Sequence, residues 1–126
     1  MKIEHIAIWV KDIEKMKGFY LYFFDMKSNE KYENPKKNFS SYFLSFKDGA
    51  RIELMHNPDI SEFIEKSKLG LTHFAISVGN KEKVDSITEN IRENGYQIIG
   101  EPRTTGDGYY ESIIADPEGN LIELTE

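Results

Sequence analysis

At 126 residues, with no cysteine and a net charge of −6, the chain is long enough to bury a core of its own and has no means to form disulfides, thiolate nucleophiles or thiolate-ligated metal sites. The acidic balance argues against nucleic acid, and Lys36-Lys37 reads as a solvated loop rather than a phosphate-binding patch. No apolar run approaches the roughly 20 residues of a membrane span and the alternating start is unlike a signal peptide, so a cytoplasmic protein that meets neither membrane nor nucleic acid is expected.

In chain order, Ile3–Val10 alternates as a strand, with Ile6, Ile8 and Val10 on one face and His5, Ala7 and Trp9 on the other. Asp12 is placed to cap a helix in which Ile13, Met16, Tyr20, Phe23 and Phe24 recur at helical spacing to about Asp25. Strands are predicted over Lys27–Glu33, Phe39–Phe46 and Ala50–His56, with a polar loop at Asn34–Asn38 and a hairpin turn at Lys47-Asp48-Gly49. Between Asn57 and Gly70 lies a connecting segment in which Ile60, Phe63 and Ile64 suggest one short amphipathic helix. The plan then repeats. A strand is predicted over Leu71–Val78, then a helix from about Lys81 to Asn94 with Val84, Ile87 and Ile91 on its apolar face, stopped at Asn94-Gly95. Strands over Tyr96–Gly100, Tyr109–Ala115 and Asn120–Thr125 complete it, the last two joined through Asp116-Pro117-Glu118-Gly119. The expected fold is α+β: two βαβββ modules in tandem within a single domain, about 1–56 and 71–126, joined by a linker of about 57–70.

The repeat carries chemistry as well as architecture. Ile3–Val10 is echoed by Leu71–Val78, which places His5 in step with His73, and Arg51-Ile52-Glu53-Leu54 is echoed by Leu121-Ile122-Glu123-Leu124. A lone histidine in a strand is ordinarily a hydrogen-bonded structural residue, and a lone glutamate sits at a solvated edge. Duplicated packing would keep the apolar positions, however, and has no need to keep His with His and Glu with Glu. If the Ile and Leu positions pack under the helices, the four polar side chains look out of the opposite sheet faces, mid-strand among apolar neighbours where an isolated charge is costly. Converging on one concavity, His5, Glu53, His73 and Glu123 would suit a divalent metal, with a charge of −2 to offset it and positions left for water. His56 has no counterpart and reads as a surface residue.

These strands, with Phe19-Tyr20 in the first helix, Asp116-Pro117-Glu118-Gly119-Asn120 and the terminal Ile122-Glu123-Leu124, resemble the vicinal oxygen chelate (glyoxalase/bleomycin resistance/dioxygenase) superfamily over essentially the whole chain. The pattern is most similar to glyoxalase I-like proteins, whose ligands run His, Glu, His, Glu. The resemblance implies one divalent ion (Ni, Co, Zn, Mn or Fe) on His5, Glu53, His73 and Glu123. It further implies a metal-dependent isomerase or lyase that stabilises an enediolate, converting the hemithioacetal of an α-ketoaldehyde such as methylglyoxal to a 2-hydroxyacyl thioester, with Glu123 as principal base and Glu53 as its counterpart. A homodimer is expected on the same ground, with ligands from one chain or both.

A thiol adduct needs groups that grip its carboxylates, and Arg51, Arg103, Lys36, Lys37 and Asn38 are the candidates, although none stands in a recognisable glutathione motif. Trp9, Met55 and Tyr109 or Tyr110 are candidates for an apolar wall. An epimerase of the same superfamily is the nearest alternative. Oxygenases and thiol transferases that act on antibiotics use three protein ligands, so Glu53 weighs against them. A non-catalytic binder of small molecules has no need of the intact ligand set.

Overall fold

The computed structural model describes residues 2–62, 70–106 and 108–126, which form nine strands, two α-helices and one short 3-10 turn. They fall into two compact units, Met1–Phe63 and Ile64–Glu126; the second is a βαβββ module and the first follows the same plan with the strand after its helix split in two. Among the described residues no helix is long and apolar enough to cross a membrane. The short helix expected around Ile60, Phe63 and Ile64 falls mainly outside the described residues; what precedes it is a turn closed by the Ile60 N–H on the Asn57 carbonyl.

In the first unit β1 (His5–Trp9), α1 (Ile13–Phe24), β2 (Lys27–Ser28), β3 (Tyr32–Asn34), β4 (Phe39–Ser45) and β5 (Arg51–His56) follow in turn. The sheet runs β1-β5-β4-β2, with β1 parallel to β5 and β3 paired to the other part of β4. The Asp12 side chain accepts the Lys15 N–H and starts α1, whose Met16, Phe19, Tyr20 and Phe23 bury against Tyr42, Leu44, Ile52 and Leu54 of the sheet. The single strand expected over Lys27–Glu33 is interrupted. The Asn29 side chain accepts the Phe43 N–H at 2.7 Å while the Asn29 N–H donates to the Phe43 carbonyl, so an amide side chain stands in for one rung of the ladder. Nor does β1 start at Ile3, which is exposed, because β5, its partner in the sheet, starts at Arg51, opposite His5. His56 is half-buried and donates from Nδ1 to the Val10 carbonyl at 2.9 Å, tying the end of β1 to β5; it is not the surface residue expected.

A charged cluster staples α1 to the sheet. Glu14 accepts from the Tyr42 hydroxyl at 2.9 Å and meets Lys17 at 2.8 Å and Lys31 at 3.1 Å. Its carboxyl is held down at about 2 from the ordinary 4.5, by Lys17 first and then by Lys31 and Tyr42, with partial burial acting the other way. A depressed carboxyl stabilises the fold above pH 4.5 and loses that contribution as pH falls towards 2. Because Glu14 is more than half exposed, the loss is below about 1 kcal/mol. Melting curves at pH 6 and pH 2.5 test this: wild type is the more stable at pH 6, and the gap to Glu14→Gln narrows at pH 2.5. A gap that is the same at both values disproves it.

The second unit repeats the order with β6 (Phe74–Ser77), α2 (Lys81–Glu93), β7 (Ile98–Thr104), β8 (Tyr110–Ala115) and β9 (Leu121–Thr125), in the sheet β6-β9-β8-β7 with β6 parallel to β9. β6 is shorter than the predicted Leu71–Val78 for the reason that shortens β1: its partner β9 begins at Leu121. β7 runs on past Gly100 to Thr104, because Pro102 is tolerated on an edge strand with irregular register. Thr88, rather than Ile87, is the buried residue at the middle of α2. Its hydroxyl donates to the Val84 carbonyl at 2.6 Å and shares a hydrogen bond of 2.7 Å with the buried Ser112 of β8, which satisfies both hydroxyls in the core.

The β8–β9 turn is built on Asp116, itself buried. Oδ1 accepts the backbone N–H groups of Glu118 and Asn120 at 3.0 and 2.9 Å, Oδ2 accepts the Asn120 amide at 2.8 Å, and Gly119 supplies the positive φ of 88°. This turn fixes the register that sets Ile113 opposite Glu123.

Candidate metal centre

In a sheet, residues paired across strands point to the same side. In the first unit Ala7 pairs with Glu53, which pairs in turn with Phe43; in the second, Ala75 pairs with Glu123, which pairs with Ile113. Ile52 and Leu54, and likewise Ile122 and Leu124, are buried under the helices, so Glu53 and Glu123 lie on the opposite faces. Each histidine precedes the alanine by two positions and stands diagonally across from the glutamate. The small alanine between them lets the pair approach: His5 Nε2 lies 3.8 Å from Glu53 Oε2 and His73 Nε2 lies 3.4 Å from Glu123 Oε2.

All four residues are expected mid-strand among apolar neighbours, and the histidines are not. His5 is the first residue of β1, His73 lies just before β6, and their side chains are 38% and 39% exposed. Both strands are edges, so their ends face solvent. The carboxylates are more enclosed, at 16% and 19% exposure. The fold therefore brings one His to one Glu in each unit. Among the described residues no three or more His, Asp or Glu side chains form a metal-holding group.

The donor chemistry of each pair fits a divalent ion. Ligand atoms about 2.1 Å from a common metal and 90–110° apart at it are separated by about 3.0–3.4 Å. The second pair is at the upper end of that range and the first is slightly wider. Both separations are long for a direct N–H···O hydrogen bond, which has its mode near 2.9–3.0 Å.

Around the first pair stand residues that alternation did not single out. His5 Nδ1 is hydrogen-bonded to Glu4, whose other oxygen pairs with Arg51 Nη2. The Arg51 guanidinium lies 4.0 Å from the centre of the Phe43 ring, and His5 packs edge-on to the same ring at 5.3 Å. The hydrogen bond from His5, then the Arg51 charge, hold the Glu4 carboxyl below its ordinary value. Simple alternation puts Glu4 on the face away from His5, and the only hint in the chain is the neighbouring Glu-His; the register that seats Arg51 opposite His5 is tertiary information.

The remaining candidates are spread more widely. Trp9 and Met55 are register partners on the face that carries Glu53, and Trp9 is exposed with its ring edge against Phe39. Arg103 pairs with Glu111 at 3.3 Å, and Glu111 is opposite Thr125 on the face that carries Glu123. Tyr109 is exposed before β8, whereas Tyr110 turns to the helix side and donates its hydroxyl to Asp85 at 2.7 Å. Lys37 lies in the 3-10 turn at Pro35–Lys37, whose Asn34 cap accepts its N–H.

Comparison with known proteins agrees with this architecture. The model of the Glyoxalase/Bleomycin resistance protein/Dioxygenase superfamily matches residues 2–124. The lactoylglutathione lyase GLX1 of Arabidopsis thaliana is 30% identical over 126 residues, 97% of this chain but 43% of its own length, so the chain spans under half of that relative. The lactoylglutathione lyase of Salmonella typhimurium is 29% identical over 130 residues, covering 100% of this chain and 93% of its own. A glyoxylase/bleomycin resistance protein/dioxygenase domain from Frankia sp. EAN1pec superposes with a TM-score of 0.86 over 99% of this chain and 96% of its own; at 16% identity that likeness speaks for the fold.

Proposed function

The chain belongs to the Glyoxalase/Bleomycin resistance protein/Dioxygenase superfamily, and from that premise we propose that it is a divalent-metal-dependent isomerase or lyase of the lactoylglutathione lyase type. The observation that carries the reading is the His–Glu pair at the same place in both modules, on the open face of a parallel strand pair. The relatives named lactoylglutathione lyase, at 29–30% identity, support the reaction class.

In this reading His5, Glu53, His73 and Glu123 together hold one divalent ion, and the two modules work as one domain in a homodimer. When bound, the ion would neutralise the negative charge that develops on oxygen as a C–H bond beside a carbonyl is broken. Glu123 takes that proton on its carboxylate and returns it to the adjacent carbon, so hemithioacetal and 2-hydroxyacyl thioester differ only in where the hydrogens sit and no outside oxidant is needed. Glu53 occupies the equivalent place in the first module and serves the other face of the substrate. Trp9 and Met55 supply apolar surface beside the Glu53 site.

Arg51 and Arg103 are already ion-paired with Glu4 and Glu111, so the thiol carried by the substrate is best identified by trial. The experiment is metal analysis of protein purified without chelator, followed by methylglyoxal assays with glutathione and with other low-molecular-weight thiols. A stoichiometric divalent ion and thioester formation with one of the thiols are expected. Protein without stoichiometric metal, or metal-loaded protein that forms no thioester with any thiol, overturns the reading.

A further inference from the structure

The two half-sites differ in what stands behind the histidine. His5 is on an edge strand and well exposed, so packing alone leaves its ring free to flip. Five contacts restrain it, two of them made by the ring itself. The Nδ1 atom is bonded to Glu4, and Glu4 is pinned to Arg51 twice, by the side-chain ion pair and by the Arg51 N–H on the Glu4 carbonyl at 3.0 Å. Arg51 and His5 both pack on Phe43. We propose that Glu4 is a positioning residue: its carboxylate, clamped by Arg51, holds the proton of His5 Nδ1 and so presents the Nε2 lone pair towards Glu53. This rests on the metal-centre reading above and deepens it.

The physical argument is tautomeric. A neutral imidazole that donates from one nitrogen offers a lone pair at the other, and a carboxylate on the donating side fixes ring orientation and raises the basicity of the ligating nitrogen. Carboxylates that are themselves hydrogen-bonded do this best, because their own rotamers are held. Duplication does not account for the arrangement. The positions in the second module that answer to Glu4 and Arg51 are Thr72 and Leu121, which cannot make it. The same geometry gives Arg51 a task other than gripping substrate. It is the clamp on Glu4.

Two measurements test the role. Imidazole 15N–1H correlation spectra of metal-free protein, at a pH where His5 is neutral, are expected to show His5 protonated at Nδ1 in the wild type. In Glu4→Ala the His5 signals move towards the Nε2–H form while those of His73 stay in place, an internal control that general destabilisation would not spare. Co2+ titration followed by calorimetry is expected to show affinity about 10–100-fold weaker in Glu4→Ala. Glu4→Gln, which keeps an acceptor without the charge, falls between. An unchanged His5 tautomer in Glu4→Ala, or Co2+ affinities of wild type and Glu4→Ala within twofold, overturns the role of Glu4 alone. A wild type that takes up no Co2+ overturns the metal centre itself, and this role with it.

Discussion

Glu123→Gln is expected to lower kcat for thioester formation by about 10^2–10^4-fold, the range a positioned general base contributes. The substitution preserves shape and one acceptor oxygen but removes the basic site. Both glutamates sit on strands held in register on both sides, β9 by β6 and β8 and β5 by β1 and β4, and Glu123 is the base to test first. Its carboxylate is the one nearer its histidine, at 3.4 Å against 3.8 Å for Glu53. Metal content is the necessary companion measurement. A variant that retains the ion and loses turnover places the proton transfer on Glu123, whereas one that retains both removes Glu123 from the role and turns attention to Glu53.

The largest stability effect outside the apolar core is expected at Asp116, far from either histidine in sequence. Asp116→Ala removes the carboxylate that accepts the backbone N–H groups of Glu118 and Asn120 and the Asn120 amide in a half-buried turn. Hydrogen bonds to charged groups contribute about 1.5–3 kcal/mol each and are not additive, so a total near 3 kcal/mol is expected. For a chain of this size that lowers the melting temperature by roughly 10 °C. Asp116→Asn is expected to cost less, since its carbonyl still accepts the two backbone N–H groups and the Asn120 amide can turn to accept from the new one. The effect reaches the site because the turn sets the β8–β9 register, and a slip of one residue would send Glu123 to the helix side. A melting temperature for Asp116→Ala within 2 °C of wild type rules this account out.

The larger features of the fold were legible in the residues because they depend on periodicity. The helical stripe Ile13, Met16, Tyr20, Phe23 and Phe24, the stop at Gly95 with its φ of 81°, and the Asp-Pro-Glu-Gly turn are local signals, and each element stands where its signal is. The opposed faces of Ile52-Glu53-Leu54 and Ile122-Glu123-Leu124 follow from the two-residue period of a strand, and the repeat singles out His5 and His73. Strand ends were not legible. β1 begins opposite the first residue of β5 and β6 opposite the second residue of β9, so the apolar Ile3 and Leu71 lie outside them. Breaks made by side chains were hidden too, since nothing local says that Asn29 will replace a backbone rung or that Thr88 will meet Ser112 inside the core.

The site divides along the same line. Residue type and recurrence marked the two histidines and two glutamates, because alternation and duplication are properties of a single chain. That His5 has Glu4 behind it and Arg51 behind Glu4, while His73 has Thr72 and position 121 is Leu, became meaningful only with the strand register, which places residues nearly fifty positions apart side by side. Pairing across strands is a long-range contact whose partner no local pattern specifies. For that reason the donors could be read from the chain, and the carboxylate that holds one of them in place had to come from the fold.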